Sequence, residues 1–160
     1  MDLSMTNSGI RIYDSKKESK YVCVPLSELL PIIQGSNINW ALLWLRAQPK
    51  LEHVESVVHL SGMVNESPNG FVCSWETLLG LAEKLYQEFD LLIIGSKSIQ
   101  NLHRFKDDRE MYETCDVVIE MIDGGFWEVF SSDPNLIAKL KTRFHETEPL
   151  DVDFQKKFHS

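Results

Sequence analysis

The pattern of hydrophobic and polar positions divides the chain into short strands and amphipathic helices. Alternating, β-branched or aromatic apolar runs predict strands over residues 10–13, 21–24, 38–45, 53–60, 91–95, 116–123 and 126–130. Apolar residues at helical spacing predict helices over 25–33, 75–88 and 134–144, with a helical turn or two over 106–112. The predicted fold class is α+β, with helices packed on a mixed or antiparallel sheet and a C-terminal β-hairpin followed by a helix.

Helix starts are marked most clearly at two places. Ser74 precedes the helix over 75–88, and its hydroxyl can accept a hydrogen bond from the first turn. Asp133 precedes Pro134, which places a capping side chain just before a proline at the first helical position. The segment 38–45 is apolar at nearly every position and fits either a strand or a buried helix, but its short length and two tryptophans favour a strand.

Two glycines at 124–125 predict a two-residue hairpin turn, because glycine permits the positive φ angles that such turns require. This link pairs Ile122 with Trp127 and places Glu120 and Glu128 on opposite faces of the hairpin. Both faces are otherwise largely apolar, so either helices cover both faces or one face binds a partner. The two glutamates are the anomaly, since a buried carboxylate needs a polar partner.

Composition predicts one ordinary globular domain over residues 1–160, with residues 145–160 forming a less ordered tail. The chain has 160 residues, of which 43% are hydrophobic and 25% are charged. No uncharged apolar stretch approaches the roughly 18 residues of a membrane span, and residues 1–7 lack the pattern of a secretory signal. The three cysteines are scattered and form no CxxC pair, which favours reduced thiols in the cytoplasm.

Sequence signatures of catalysis and cofactor binding are absent. The chain contains no HExxH, GxGxxG, P-loop or GxSxG pattern. His53 and His59 would share a strand face about 20 Å apart, too far to share a metal ion. Cys115 lies beside Asp116, whose charge disfavours the reactive thiolate. We therefore expect no enzyme activity, no catalytic residue, no cofactor and no metal site.

Acidic residues are concentrated in the C-terminal third of the chain. The net charge is −8, which argues against direct nucleic-acid binding. Residues 107–153 hold 13 of the 24 acidic residues but only 4 of the 16 basic residues. A surface of one sign attracts oppositely charged partners and speeds their association. The predicted partner-binding residues are five carboxylates and one aromatic anchor: Asp107, Asp108, Glu110, Glu113, Glu120 and Trp127.

Several segments between residues 65 and 144 carry a family resemblance. They are Ser67-Pro68-Asn69-Gly70-Phe71, Ser74-Trp75-Glu76, Ile93-Ile94-Gly95, Val118-Ile119-Glu120 and Trp127-Glu128-Val129-Phe130. In these segments the chain resembles small bacterial cytoplasmic proteins, most of all the immunity proteins encoded beside polymorphic or contact-dependent inhibition toxins. The resemblance implies tight one-to-one binding of a cognate toxin domain, often a basic nuclease, without catalysis. The oligomeric state is left open, with a monomer favoured in the complex with the toxin. The resemblance does not identify individual site residues in this sequence.

Two other functions fit the same residues. A small enzyme could use the clustered carboxylates for acid/base or cation-assisted chemistry, and it would show a concave pocket with converging carboxylates and a strongly shifted pKa. An oligomeric scaffold domain could self-associate through the second apolar face of the hairpin. A binding protein should instead present a flat or convex acidic surface.

Overall fold

The computed structural model describes residues 8–14 and 24–151. In chain order, the described elements are β1 (Ser8–Ile12), α1 (Leu26–Ile33), β2 (Asn39–Pro49), α2 (Val54–Glu66), β3 (Phe71–Cys73), α3 (Trp75–Lys84), β4 (Leu85–Ser96), α4 (Asp108–Thr114), β5 (Val117–Ile122), β6 (Phe126–Ser131), α5 (Pro134–Arg143) and β7 (Thr147–Asp151). The strands form one seven-stranded sheet in the order β3-β2-β4-β5-β6-β1-β7, and every described pair is antiparallel. The predicted α+β class is confirmed.

One face of the sheet, the helical face, packs against α1, α2, α3 and α5. Ile119 and Trp127 of the central strands join Leu29, Leu78 and Leu140 of these helices in one buried cluster. Side chains alternate between the two faces of a strand, so this cluster uses every second residue of each strand. Burial of these large apolar side chains supplies most of the favourable free energy of folding.

The other face, the α4 face, is covered over part of its area by the segment 97–115, which includes α4. Val118 and Phe130 of the sheet are buried against Met111 and Tyr112 of α4. The rings of Tyr112 and Phe130 stack with their centroids 4.0 Å apart. The second apolar face of the hairpin is therefore covered at these positions by the chain itself.

Side-chain caps begin α3 and α5 as the sequence predicts. The hydroxyl of Ser74 accepts a hydrogen bond from the amide of Thr77 at 3.0 Å. The carboxylate of Asp133 accepts one from the amide of Asn135 at 2.9 Å, and Pro134 is the first residue of α5. Each cap satisfies a backbone donor that has no partner within the helix.

Replacing Ser74 with alanine is expected to lower the free energy of unfolding by about 1 kcal/mol, because the Thr77 amide loses its partner. Urea denaturation measures this difference. Ser74→Asp is the matched control, since aspartate also caps a helix, and it should leave the stability nearly unchanged. An equal loss in both variants would contradict the capping role.

One predicted element is wrong, and a second is only partly right. Residues 53–60, predicted as a strand, lie mainly in α2, where Val57 and Val64 are buried two helical turns apart. Valine-rich composition favoured a strand, but the helical spacing of the buried positions decided the structure. The helix predicted over 75–88 ends at Lys84, and the chain continues as β4.

Two predictions concern residues at the ends of the described segments. The strand predicted over 21–24 falls almost wholly outside the described residues. The less ordered tail predicted over 145–160 is wrong in its first part, because Thr147–Asp151 forms β7 and pairs with β1. Residues 152–160 lie outside the described residues.

The β5–β6 hairpin differs from its prediction by one residue. Ile122 pairs with Phe126, so the loop has three residues, and Asp123 and Gly124 have φ angles of +52° and +70°. A shift of one residue moves a side chain to the other face of the sheet. Glu120 and Glu128 are consequently direct cross-strand partners on one face, and the prediction that they lie on opposite faces is wrong.

A β-bulge at Leu43 is held by side chains from outside the sheet. The register between β2 and β4 shifts at this residue, so Leu43 and Trp44 together lie opposite one residue of β4. The Asn65 amide group bonds both the N–H and the C=O of Leu45, each at 2.9 Å. Arg104 donates to the C=O of Leu43 on the same strand. These contacts satisfy backbone groups of β2 beyond the short β3.

Candidate partner-binding site

A row of cross-strand neighbours crosses the α4 face from one side of the sheet to the other. We name it the transverse row, and from β7 to β2 its members are Glu148, Arg11, Glu128, Glu120, Leu92 and Trp44. Neighbouring strands lie about 4.8 Å apart, so adjacent members of the row are close enough for their side chains to interact. The row combines charged residues at one end with apolar residues at the other.

Glu128 is buried but has a cationic partner. Its side chain is 2% exposed, and Arg11 donates to its Oε2 atom from Nε at 2.8 Å and from Nη2 at 2.5 Å. Arg11 also donates to Glu148 at 3.3 Å, and its guanidinium lies 4.5 Å from the ring centroid of Phe126. A buried carboxylate is tolerated when a cation and hydrogen bonds compensate it, as they do here.

Glu120 is the cross-strand neighbour of Glu128, but its charge is not compensated in the way that Arg11 compensates Glu128. The hydroxyl of Tyr112 donates to its Oε1 atom at 3.2 Å. Burial and then the charges of Asp108, Glu128 and Asp90 together raise the pKa of Glu120 to about 7, although the hydrogen bond from Tyr112 acts in the opposite direction. Among the described residues, no cation pairs with Glu120. This carboxyl group is therefore divided between its neutral and ionised forms near neutral pH.

The predicted carboxylates of the α4 segment are brought onto one short helix. Asp107 caps α4 by accepting from the amide of Glu110 at 2.8 Å. Glu113 pairs with Arg109 at 3.2 Å in an exposed ion pair one helical turn long. Asp107, Glu110 and Glu113 are exposed. Asp108 is half-buried and close enough to Glu120 to raise its pKa. The structure thus brings Asp108 near Glu120, while the other three carboxylates lie on the outer side of α4.

Trp127 does not form the exposed aromatic anchor that the sequence predicts. Its side chain is 0% exposed on the helical face, and its indole Nε1 donates to the C=O of Val24 at 2.6 Å. An exposed aromatic residue of the α4 face is instead Trp44, which is 43% exposed at the apolar end of the transverse row. Its position follows from the bulge at Leu43, which has no signal in the local sequence pattern.

The surroundings of Cys73 and Cys115 disfavour ionisation of both thiols. Burial and then the charge of Asp116 raise the pKa of the Cys115 thiol to about 12. Burial also raises the pKa of Cys73 to about 11. Raised thiol pKa values disfavour nucleophilic thiolates. Within residues 8–14 and 24–151, no group of three or more His, Cys, Asp or Glu side chains is arranged to hold a metal ion.

A cavity of about 530 Å³ lies beside the start of α5, away from the predicted site residues. Its lining includes Trp40, Lys97, Asp116, Ser132 and Lys139. The Asp116 carboxylate accepts from the amide of Lys97 at 2.8 Å and from the hydroxyl of Ser132 at 3.3 Å. These local bonds account for the polar groups of Asp116, and the cavity contains none of the predicted carboxylates.

The fold and the site together define an α+β protein with one partly covered sheet face that carries clustered carboxylates. Comparison with known protein families, curated proteins and solved structures finds no match for this chain. None of the helices in the described segments is long and apolar enough to cross a membrane.

Proposed function

We propose that this chain is an immunity-type binding protein that neutralises a cognate basic, nuclease-like toxin domain by one-to-one binding through its acidic surface. The observation that carries the proposal is the difference in charge between α4 and α5, which pack on opposite faces of the sheet. Exposed carboxylates lie on α4 on one face, and exposed cations lie on α5 on the other. The carboxylates are Asp107, Glu110 and Glu113, and the cations are Lys139, Lys141 and Arg143.

Charge separation of this kind suits recognition of a basic protein. The acidic side of α4 attracts a cationic surface over distances of about a Debye length. A nuclease carries cations where it binds nucleic acid, so an acidic protein that covers this surface blocks its substrate without any chemistry. We further propose that the complex forms in the cytoplasm, with one copy of each chain.

The acidic side of α4 is expected to control the rate of association. A triple variant, Asp107→Ser, Glu110→Gln and Glu113→Gln, removes three charges, while serine at 107 can still cap the helix. At low salt this variant should associate with the toxin domain roughly tenfold more slowly than the wild type, and with a flatter salt dependence. The partner is first isolated by affinity purification at low salt and mass spectrometry, and the rates are then measured by stopped flow.

The matched control removes three charges from the opposite face. Lys139→Gln, Lys141→Gln and Arg143→Gln change exposed side chains of α5 and should leave the association rate nearly unchanged or slightly faster. Equal association rates for the acidic variant and the wild type at low ionic strength would contradict the proposal. A co-purifying partner that lacks a basic surface would contradict it as well.

A second candidate function, a small enzyme that uses acid/base chemistry, is favoured by one observation. The Glu120 carboxyl group has a pKa of about 7 and lies beside Glu128, which is the protonation behaviour that a general acid or base requires. Metabolite and metal screening of the purified protein tests this function. Turnover that is lost in Glu120→Gln and kept in Glu113→Gln would favour the enzyme over the binding protein.

A further inference from the structure

Part of the α4 face is left open by the segment that covers the rest. Phe130, Val118 and Ile94 lie under this segment in one cross-strand row. The neighbouring positions toward the β5–β6 turn are partly exposed and form what we name the open strip. Its members are Trp44, Leu92, Glu120, Ile122 and Phe126. The strip is apolar except for one carboxyl group near its centre.

Two cross-strand ion pairs border the open strip. Arg46 pairs with Asp90 at 2.5 Å on the β2 side, and Arg11 pairs with Glu128 at 2.5 Å on the β6 side. Both arginines are therefore already engaged by carboxylates of neighbouring strands. Glu120 lies between the two pairs and accepts a hydrogen bond from the Tyr112 hydroxyl. Unlike Asp90 and Glu128, it has no arginine partner among the described residues.

The geometry of the row also fits the apolar part of a cationic side chain. Trp44, Leu92 and Glu120 are successive cross-strand neighbours, so Trp44 and Glu120 lie roughly 10 Å apart at the usual strand spacing. Arginine has an aliphatic stem that can cover apolar surface while its guanidinium group reaches a carboxylate. The planar guanidinium group also matches carboxylate geometry better than an ammonium group does.

We infer that the open strip is a docking surface for a partner segment that places an arginine side chain on Glu120 and apolar side chains on Leu92 and Trp44. This inference deepens the proposed function and rests on it, since it specifies where the basic partner makes its central contact. The exposed carboxylates of α4 then act mainly in the approach of the partner, and Glu120 acts in the docked complex.

Docking of a cation is coupled to the protonation of Glu120. The groups that face this carboxyl group are Tyr112 and Asp108 from α4, Glu128 from β6 and Asp90 from β4. A guanidinium group favours the ionised carboxylate, so it lowers the pKa from about 7 and binding releases a proton. Protonation then competes with docking, and the affinity should fall about tenfold between pH 8 and pH 6.

A short peptide supplies a defined probe of this surface. The probe is acetyl-Leu-Arg-Leu-amide, and its control carries citrulline, which has nearly the shape of arginine without the charge. NMR spectra of the full labelled chain report the Glu120 carboxyl carbon, the Leu92 amide and the Trp44 indole N–H. We expect saturable shifts at all three groups with the arginine peptide and at least about tenfold weaker binding of the citrulline peptide.

Variants separate docking on the strip from general attraction to acidic residues. Glu120→Gln should abolish both the preference for arginine and the pH dependence, while Trp44→Ala should weaken binding and keep the pH dependence. Glu83→Gln, an exposed carboxylate on α3 of the opposite face, is the matched control and should change neither. The absence of a saturable shift at Glu120, or shifts that centre on the outer side of α4 and persist in Glu120→Gln, would overturn the inference.

The outcomes also distinguish this inference from the proposed function. Peptide binding on the strip together with no basic partner in the purification would leave the docking surface standing and remove the toxin-binding function. A toxin domain whose association depends on the α4 carboxylates, together with no peptide shift at Glu120, would leave the function standing and remove the docking surface.

Discussion

Replacing Arg104 with methionine is expected to lower the free energy of unfolding by about 3 kcal/mol, because three backbone carbonyl groups lose a charged donor. The guanidinium group donates to the C=O groups of Leu43, Val64 and Ser67, the last two at 2.9 and 3.0 Å. Val64 lies in the last turn of α2, where a cation also interacts favourably with the helix dipole. Arg104 therefore ties together the β2 bulge, the end of α2 and the covering segment of the α4 face.

Urea denaturation of two further variants tests this account. Arg109→Met removes an exposed arginine whose ion pair with Glu113 is solvent-accessible, and it should cost no more than about 0.5 kcal/mol. Arg104→Lys keeps the charge, but an ammonium group cannot reproduce the planar guanidinium contacts to three carbonyl groups. Its free energy of unfolding should therefore lie between those of the wild type and Arg104→Met. A loss at Arg104 no larger than the loss at Arg109 would show that the three carbonyl contacts contribute little.

The elements predicted well are those in which local pattern and tertiary environment agree. The caps at Ser74 and Asp133 depend on side chains within three residues of the amides they bond, so the sequence alone identifies them. The central strands are largely apolar on both faces, and the structure covers the helical face and part of the α4 face. The strand prediction for residues 53–60 is wrong because the valines of this segment favour a strand locally. In the structure, helical spacing places Val57 and Val64 in the core.

The arrangement of the site depends on the pairing register of β5 and β6, which differs from the prediction by one residue. The glycine pair suggested a two-residue turn, but Asp123 also adopts positive φ and the loop has three residues. This shift decides whether Glu120 and Glu128 are on opposite faces or are direct neighbours, and hence whether the carboxyl group of Glu120 has a raised pKa. The sequence identified Glu120 as an anomaly without the geometry that explains it.

The two tryptophans show why the aromatic residue of the site could not be chosen from the sequence. Trp44 and Trp127 both lie in apolar strand segments, and only the bulge at Leu43 and the cover on each face make one exposed and the other buried. Arg104 has no local signal either, because its partners lie 37 to 61 residues away. Long-range contacts of this kind cannot be derived from periodicity.

Replacing Glu120 with glutamine is expected to stabilise the protein at pH 8 by about 2 kcal/mol, because ionised Glu120 is poorly solvated beside Glu128 and Asp108. The pKa is about 7 in the folded state against 4.5 for the ordinary group, so folding opposes ionisation. The penalty is fully present above about pH 7 and disappears as the pH falls toward 4.5, where the carboxyl group is neutral in both states. Glutamine can still accept the hydrogen bond from Tyr112, so the substitution isolates the charge.

The measurement is the difference in free energy of unfolding between wild type and Glu120→Gln from pH 8 to pH 5. This difference should shrink steadily as the pH falls, since the wild type gains stability that the variant already has. Glu113→Gln is the matched control, because its side chain is 54% exposed, and its difference from wild type should stay small across the range. A Glu120→Gln difference that does not change with pH would mean that Glu120 ionises normally, which would also remove the proton release expected when a cation docks on the open strip.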